Sequence, residues 1–379
     1  MSSVTGQASG PLDLDSYKSL DDQTLTARIQ AVRAEMGPRL VILGHHYQQD
    51  EVIGLSDLRG DSFKLSQQAA ENRQCRAIAF CGVHFMAETA DILANRPERV
   101  AERGGQRVTV VLPDLAAGCS MADMAQIEQV EECWEQLGEL IDVDQVMPVT
   151  YINSAASLKA FCGRRGGIVC TSSNAKAVLE WSWARRRRVL FFPDQHLGRN
   201  TARAMGVGLE EMPVWNPRRK LGGNTAGAIA RSRLILWKGH CSVHQVFQPA
   251  HVDQLRAAHP GIKILVHPEC MMEVVDRADV IGSTEKIIRS VAEAPPGTRW
   301  AIGTELHLVS RLKHEHPAQE IHFLSPMVCM CATMYRIDLA HLCWAVENLA
   351  AGTPVGVIRV DGDTAGWALK ALERMLEVK

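Results

Sequence analysis

The feature that most constrains this chain is a short apolar run that ends in polar, chemically active side chains. Its first instance covers residues 41–44, which are followed directly by His45, His46 and Tyr47. Such a run is typical of a buried parallel strand, and open α/β sheets bind ligands at the carboxyl ends of their strands. One run alone is more often a strand followed by an ordinary polar turn. The interpretation as a binding site therefore depends on how often the pattern recurs.

The pattern recurs in three successive rounds. Apolar runs lie about 20 to 40 residues apart with helix-periodic segments between them, which is the βαβ pattern of a parallel sheet. Each round ends near a cysteine flanked by small residues, namely Cys119, Cys241, and either Cys329 or Cys331. Three α/β modules with right-handed crossovers could present one cysteine each to a common centre. The predicted strands are 41–44, 77–80, 108–112, 148–152, 167–170, 189–192, 234–237, 263–266, 279–281, 300–302, 321–324 and 355–360.

The segments between the strands carry helix signals. Helical spacing predicts helices over 22–36, where Pro38 ends the helix, over 63–72 with Ser62 as N-cap, and over roughly 121–140. Residues 51–61 are expected to form a polar connection. A last pair of helices, over 337–349 and at the C-terminus, flanks the closing strand.

Composition excludes several classes of protein. The chain has 379 residues, 46% of them hydrophobic and 22% charged, which is ordinary for a soluble globular protein of two or three domains. A net charge of −2 gives no reason to expect nucleic acid as a partner. No run of about 18 apolar residues predicts a membrane span. The first twenty residues lack the basic and apolar regions of a secretion signal, so we expect a cytoplasmic protein with a flexible N-terminal tail.

Eleven cysteines need an explanation. An odd number without an export signal argues against a disulfide framework and leaves buried thiols or metal ligands. Structural zinc usually takes four ligands, often in Cys-x-x-Cys pairs, and none occur here; Cys329-x-Cys331 is tighter. A [4Fe–4S] cluster held by three thiolates would leave one iron open as a Lewis acid, which suits dehydration or condensation. From spacing alone, buried core cysteines are the commoner explanation.

Seven ordered motifs give the chain a family resemblance. They cover about residues 22 to 375 and are 44–48 (GHHYQ), 60–62 (GDS), 118–123 (GCSMAD), 150–154 (TYINS), 170–175 (CTSSNA), 267–269 (HPE) and 282–284 (GST). In this set and order the chain resembles the quinolinate synthases. The resemblance implies a [4Fe–4S] cluster held by three cysteines. It also implies condensation of iminoaspartate with dihydroxyacetone phosphate to quinolinate, phosphate and two waters in NAD biosynthesis.

The repeat and the resemblance together imply an α/β fold of three pseudo-symmetric, three-layer αβα modules, with short parallel sheets around a central cluster site. We expect a tail at 1–21, a first module at 22–118 plus 335–379, a second at 119–240 and a third at 241–334. By the same resemblance the cluster ligands are Cys119, Cys241 and Cys331. The third is chosen because Met334 follows it by three residues, which leaves Cys329 outside the ligand set.

The resemblance also implies a substrate-binding set. Ser, Thr, Asn and Tyr side chains can hold a dicarboxylate, and helix N-termini favour anions. Of this set, His45, His267 and Glu269 are the candidates for proton transfer, with Tyr47 as a further catalytic group. An isolated Ser or Thr is more often a helix cap, a role compatible with binding. The expected substrate-binding residues are His45, Ser62, Tyr151, Asn153, Ser172, His267, Glu269 and Thr284.

Other features have simpler interpretations. Residues 185–188, four arginines, are expected to form a solvated helix end. His84, Glu88 and Asp91 have helical spacing and are expected to form a polar face. His240 and His244, which flank Cys241, are expected to support a ligand at most. Cys270 and Cys329 could form a regulatory disulfide, although plain buried thiols are the more common case.

Three alternatives stay open at this point. Another [4Fe–4S] dehydratase acting on a small dicarboxylate is the nearest. An iron–sulfur sensor would not need the convergent His, Glu, Tyr and Ser set, and a zinc-binding structural protein fits least. Besides the two substrates, an enzyme that supplies iminoaspartate is a candidate partner. Oligomeric state is not predicted.

Overall fold

Three β-sheets organise the chain in a computed structural model that describes residues 11–327 and 330–378. The first sheet contains β1 (Leu40–His45), β2 (Leu58–Gly60), β3 (Ala77–Cys81), β4 (Thr109–Val111) and β14 (Val357–Ile358). The second contains β5 (Val146–Tyr151), β6 (Ile168–Cys170), β7 (Arg188–Phe192), β8 (Val214–Trp215) and β9 (Leu234–Trp237). The third contains β10 (Lys263–Val266), β11 (Val280–Ile281), β12 (Arg299–Gly303) and β13 (Glu320–Phe323).

The three sheets share one strand order. Each module's first strand lies between its second and its third, and the fourth lies beyond the third: β2-β1-β3-β4, β6-β5-β7-β9 and β11-β10-β12-β13. All of these neighbours are parallel. Two strands lie outside the shared order, β8 beside β9 and β14 antiparallel to β4. The predicted α/β fold with three modules of mostly parallel sheet is confirmed.

Helices flank the sheets. Their bounds are α1 (Asp15–Lys18), α2 (Asp22–Met36), α3 (Asp50–Gly54), α4 (Ser62–Glu71), α5 (His84–Ala94), α6 (Pro97–Glu102), α7 (Ile127–Gly138), α8 (Ala156–Arg164), α9 (Ala175–Trp183), α10 (Gln195–Ala204), α11 (Ala226–Arg231), α12 (Pro249–Ala258), α13 (Met272–Val275), α14 (Thr284–Ala292), α15 (Leu306–Glu315), α16 (Leu339–Ala350) and α17 (Gly362–Glu377). Among these described helices, none is both long and apolar enough to cross a membrane.

The sequence explains where strands and helices begin and end. The central strands β1, β3, β5 and β7 are buried along their whole length, so they consist of continuous apolar runs and not of alternating ones. Many helices begin at a side-chain cap: the carboxylates of Asp21, Asp194 and Asp361 each accept a backbone N–H from the first turn of the helix that follows.

Several elements differ from the sequence predictions. Residues 51–61 are not a plain connection, because they contain most of α3 and all of β2. Both elements are short, and each has too few apolar residues for a helix or strand pattern to be recognised in the sequence. The closing strand is only Val357–Ile358, and it is antiparallel. Helical structure over 121–140 divides into a 3-10 turn, Ala122–Met124, and α7.

Two segments are partly buried, namely the predicted polar face of residues 84–91 and the predicted solvated helix end at residues 185–188. Asp91 is buried and accepts hydrogen bonds from Arg107 and from the backbone N–H of Val360, so the 84–91 face is not simply solvated. In the arginine run, the guanidinium of Arg186 donates to the backbone oxygen of Val146, and Arg188 is buried. These hydrogen-bond partners are distant in sequence, so the local sequence pattern did not indicate the contacts.

The helices near the two ends of the chain pack on different sheets. In the predicted tail, α1 buries Tyr17, whose hydroxyl donates to Glu347 of α16 at 2.5 Å. Helix α16 packs with the first sheet's core. Helix α17 instead packs on α8 and β6, and its Leu372 and Met375 join the second sheet's core. The C-terminal helix therefore connects two modules.

The contact between α8 and α17 generates a stability prediction. A Cβ at Gly163 would lie 1.9 Å from the backbone oxygen of Trp367, a rigid neighbour. Gly163→Ala should therefore destabilise the protein by about 1–3 kcal/mol, as overpacking does, despite the better helix propensity of alanine. Urea-induced unfolding measures the change.

The matched control lies on the opposing helix. A Cβ at Gly366 of α17 meets nothing within 4 Å, so Gly366→Ala should stabilise by up to about 1 kcal/mol. Equal stability of the two variants would contradict the close approach of α8 to α17.

Candidate active site

Equivalent strands of the three modules deliver side chains to one cleft, with an empty volume of about 760 Å³. The first strand of each module supplies a pair, separated by one residue, to the wall of this cleft. Because parallel strands end at one edge of their sheet, these residues converge from three directions. The pairs are His45 and Tyr47 at and after the end of β1, Tyr151 and Asn153 at and after the end of β5, and His267 and Glu269 after β10.

The second strand of each module leads into a helix whose N-terminus adjoins the cleft. Asp61, Ser172 and Thr284 line the cleft and lie at or just before the first turns of α4, α9 and α14. Free N–H groups and the helix dipole make such termini favourable places for anions. The N-termini of α9 and α14 are therefore suited to carboxylate or phosphate groups, whereas Asp61 Oδ1 already accepts the backbone N–H of Lys64 in the first turn of α4.

The loops after the fourth strands bring three thiols to the cleft. Cys119, Cys241 and Cys331 all line it, together with apolar side chains that include Met121 and Met334. Burial raises the pKa of Cys119 to about 12 and that of Cys241 well above its usual value. The thiols of Cys119 and Cys241 therefore hold their protons until a metal displaces them.

The spacing of the thiols distinguishes the kinds of metal centre. Three thiolates on one zinc ion would lie about 3.8 Å apart, given Zn–S bonds of about 2.3 Å. The three Sγ atoms, all in the described part of the chain, do not form a group within 4.8 Å. A four-iron cluster is larger than one ion, so this donor set fits a cluster better. A second set, Cys241 with His244 and Glu269, does lie within 4.8 Å and could hold a single ion.

A buried carboxylate holds one of the cysteine loops. Asp194 and Glu305 follow the third strands β7 and β12 and are the N-caps of α10 and α15. The backbone N–H of Cys331 donates to Glu305 Oε1 at 3.4 Å. Glu305 therefore connects the third strand of its module to the loop that carries Cys331.

The same type of local hydrogen bond orients the imidazoles of His45 and His267. The backbone N–H of Tyr47 donates to His45 Nδ1 at 3.2 Å, and that of Glu269 donates to His267 Nδ1 at 3.3 Å. Burial lowers the pKa of each imidazole to about 3. Both rings are therefore neutral near pH 7, and each carries its proton on Nε2.

Glu269 is the centre of a buried polar network. His244 Nδ1 lies 3.1 Å from Glu269 Oε2, and His244 Nε2 lies 3.2 Å from the hydroxyl of Thr304. The rings of His244 and His267 stack with centroids 4.5 Å apart. Burial alone would raise the pKa of Glu269, but His267, His244 and the Tyr151 hydroxyl lower it more. Glu269 is therefore an ionised carboxylate in a buried site.

The two tyrosines are hydrogen-bond donors near neutral pH. The Tyr47 hydroxyl lies 3.1 Å from Thr284 Oγ1 and 3.0 Å from Thr304 Oγ1. Burial raises the pKa of Tyr47, and burial beside Glu269 raises the pKa of Tyr151. Both phenols keep their protons.

Arg311 connects the third module to the loop that carries His45 and Tyr47. Its guanidinium donates to the backbone oxygens of His46 (3.1 Å) and Gln48 (2.8 Å) and to the carboxylate of Asp50 (2.7 Å). The side chain is largely buried. This one residue therefore holds the first strand end against α15.

The structure brings together all but one of the predicted site residues. The exception is Ser62, which begins α4 but whose side chain lies outside what the structure describes. Cys329 also lies outside the described residues. Cys270 is buried, with its Sγ 3.6 Å from the Gly303 oxygen, and does not line the cleft.

Sequence reasoning undervalued three residues. His244 lines the cleft, whereas His240 does not, and Thr304 and Arg311 orient residues that do. Thr304 follows a predicted strand and His244 lies close to Cys241, whereas Arg311 carried no signal. The hydrogen-bond partners of all three residues are remote in sequence.

Comparison with known proteins places the chain among sequences of similar length. Residues 27–377 match the family described as quinolinate synthetase A protein. The quinolinate synthase of Rhodopirellula baltica is 68% identical over 367 residues, or 97% of this chain and 94% of that protein. That of Acidobacterium capsulatum is 54% identical (97% and 96% covered), and that of Geobacillus kaustophilus 52% (96% and 95%). On this match the chain belongs to the quinolinate synthetase A family.

Proposed function

We propose that this chain is an enzyme that condenses iminoaspartate with dihydroxyacetone phosphate to quinolinate, phosphate and two waters, in NAD biosynthesis. The observation that carries this proposal is the cleft where three thiols, the N-termini of α9 and α14 and the ionised carboxylate of Glu269 meet. The names of the relatives support the product. An iron–sulfur dehydratase with another dicarboxylate substrate is the competing function.

The anionic groups of the substrates match the helix N-termini of the cleft. Iminoaspartate carries two carboxylates, and dihydroxyacetone phosphate carries one phosphate. Ser172, Thr284 and the amide of Asn153 supply donors beside the N-termini of α9 and α14. These side chains bind and orient both substrates, which lowers the entropic cost of the condensation.

Proton transfer falls to the buried network around Glu269. Ring formation removes protons from carbon and nitrogen and expels water and phosphate, so it needs a base and several donors. Glu269 is ionised and can accept a proton through a carboxylate oxygen. His45 and His267 can donate hydrogen bonds to substrate from Nε2, and Tyr151 and Tyr47 can donate from their hydroxyls.

The cluster ligands in this proposal are Cys119, Cys241 and Cys331. A bound [4Fe–4S] cluster with three thiolate ligands supplies an iron with an open position, a Lewis acid for dehydration. Apolar side chains of the protein, such as those of Met121 and Met334, surround the thiols and exclude water.

Anaerobic purification tests the function. The protein should be brown, contain about four iron and four sulfide per chain, and form quinolinate from the two substrates. A colourless protein with one zinc ion, held for instance by Cys241, His244 and Glu269, would overturn the proposal. A brown protein inactive on these substrates would favour the competing dehydratase.

Cysteine substitution tests the ligand set. Cys119→Ser, Cys241→Ser and Cys331→Ser should each abolish stable cluster binding and quinolinate formation, because each removes one of three thiolates. Iron analysis and the visible absorption of the anaerobic protein measure the loss. Cys329→Ser and Cys270→Ser are the matched controls and should retain the cluster. Loss of iron in Cys329→Ser but not in Cys331→Ser would reverse the assignment of the third ligand.

Arg311 provides a test of positioning. Arg311→Ala removes the donors that hold the His46 and Gln48 carbonyls, so the loop bearing His45 and Tyr47 should loosen. A displacement of about 1 Å can cost on the order of 100-fold in rate, so steady-state kinetics should show kcat/KM reduced by roughly 10- to 100-fold. Arg311→Lys should recover only part of the lost activity, because an ammonium cannot reproduce the planar fork.

The control for Arg311 lies two residues further along the same helix. Lys313 is exposed, and Lys313→Ala should leave kcat/KM unchanged. Iron content should be normal in all three variants. Unchanged kcat/KM in Arg311→Ala would show that the loop does not need this contact.

A further inference from the structure

A cluster of metal-binding side chains lies at the outer edge of the third sheet. Glu320 and His322 are two residues apart on β13 and therefore project from the same face of that strand. His259, the C-cap residue of α12, approaches them. His259 Nδ1 lies 3.2 Å, and His322 Nε2 lies 2.7 Å, from Glu320 Oε1. Their ligand atoms all lie within 4.8 Å of one another.

We propose that His259, Glu320 and His322 form a binding site for a divalent transition-metal ion of the zinc type. Two imidazole nitrogens and one carboxylate oxygen are a donor set that Zn²⁺ prefers, and a water can complete the tetrahedron. The three ligand atoms lie within 4.8 Å of one another, so binding requires only small movements of the side chains.

A neighbouring guanidinium orients the carboxylate. Arg299 Nε lies 3.0 Å from Glu320 Oε2, the oxygen that does not face the histidines. This contact directs Oε1 towards both rings, the kind of support that ligating carboxylates commonly have. The two histidine rings lie 4.3 Å apart between centroids. The site is thus built from two elements and oriented by a third residue, which distinguishes it from a chance acidic patch.

The site is separate from the cleft and open to solvent. Glu320 begins β13, whereas the cleft lies beyond the carboxyl ends of the strands. The side chains of His259, Glu320 and His322 are 30%, 43% and 28% exposed, so an ion can reach them directly. Because α12 and the edge strand β13 both contribute ligands, a bound ion would also connect these two elements.

Zinc titration of the anaerobic, cluster-loaded protein tests the proposal. Loading the cluster first keeps the three cysteines occupied. Competition with a chromophoric chelator should reveal one zinc ion per chain. His259→Ala and His322→Ala should each weaken its binding by at least about tenfold, since even outer-shell changes cost about 10- to 100-fold. His314→Ala, an exposed histidine of the same module, should bind zinc as the wild type does.

Zinc X-ray absorption provides an independent readout. The spectrum should contain imidazole scattering and no sulfur, and circular dichroism should confirm that the variants fold. Quinolinate formation should be unaffected by either substitution. Equal zinc affinity in the wild type and both histidine variants, or sulfur ligation of the bound zinc, would overturn the proposal.

Discussion

The site depends on one constraint, which is that a parallel strand releases its last residues at the carboxyl edge of its sheet. Three sheets with the same strand order direct those edges to one cleft. Equivalent strands therefore contribute equivalent residues to the cleft. The first strands contribute His45, Tyr151 and His267, and the loops after the fourth strands contribute the three thiols. No single module contains a complete site. Binding and chemistry therefore both require the modules to be held together.

The repeated order extends to the contacts that support the strands. Asp57 accepts the backbone N–H of Ile42 and pairs with Arg33 of α2. In the third module Asp279 accepts the backbone N–H of Ile264 (2.7 Å) and pairs with Arg256 of α12. The same residue types thus fix the same strand in two modules. Between modules, Arg311 and the hydroxyl pair Ser173–Ser283 (2.9 Å) hold the strand ends in position.

The pattern of apolar and polar residues predicted the elements that depend on neighbouring residues alone. Strands such as β9 and β10 agree with the sequence prediction residue for residue, because a continuous apolar run bounded by polar residues suffices to identify a buried strand. The site residues at strand ends followed from the motifs. His244 did not, since its partners Glu269 and Thr304 lie 25 and 60 residues away. The packing of α17 on the second sheet likewise depends on contacts between residues distant in sequence, which hydrophobic periodicity does not indicate.

The central claim is that three thiolates from three modules hold a [4Fe–4S] cluster with one open iron beside the substrate-binding residues. Mössbauer spectroscopy of the ⁵⁷Fe-enriched protein, with and without a dicarboxylate substrate analogue, tests it most directly. The account predicts one iron of four that is distinct and whose isomer shift changes when the analogue binds. Four irons that remain alike and unchanged by the analogue would contradict it.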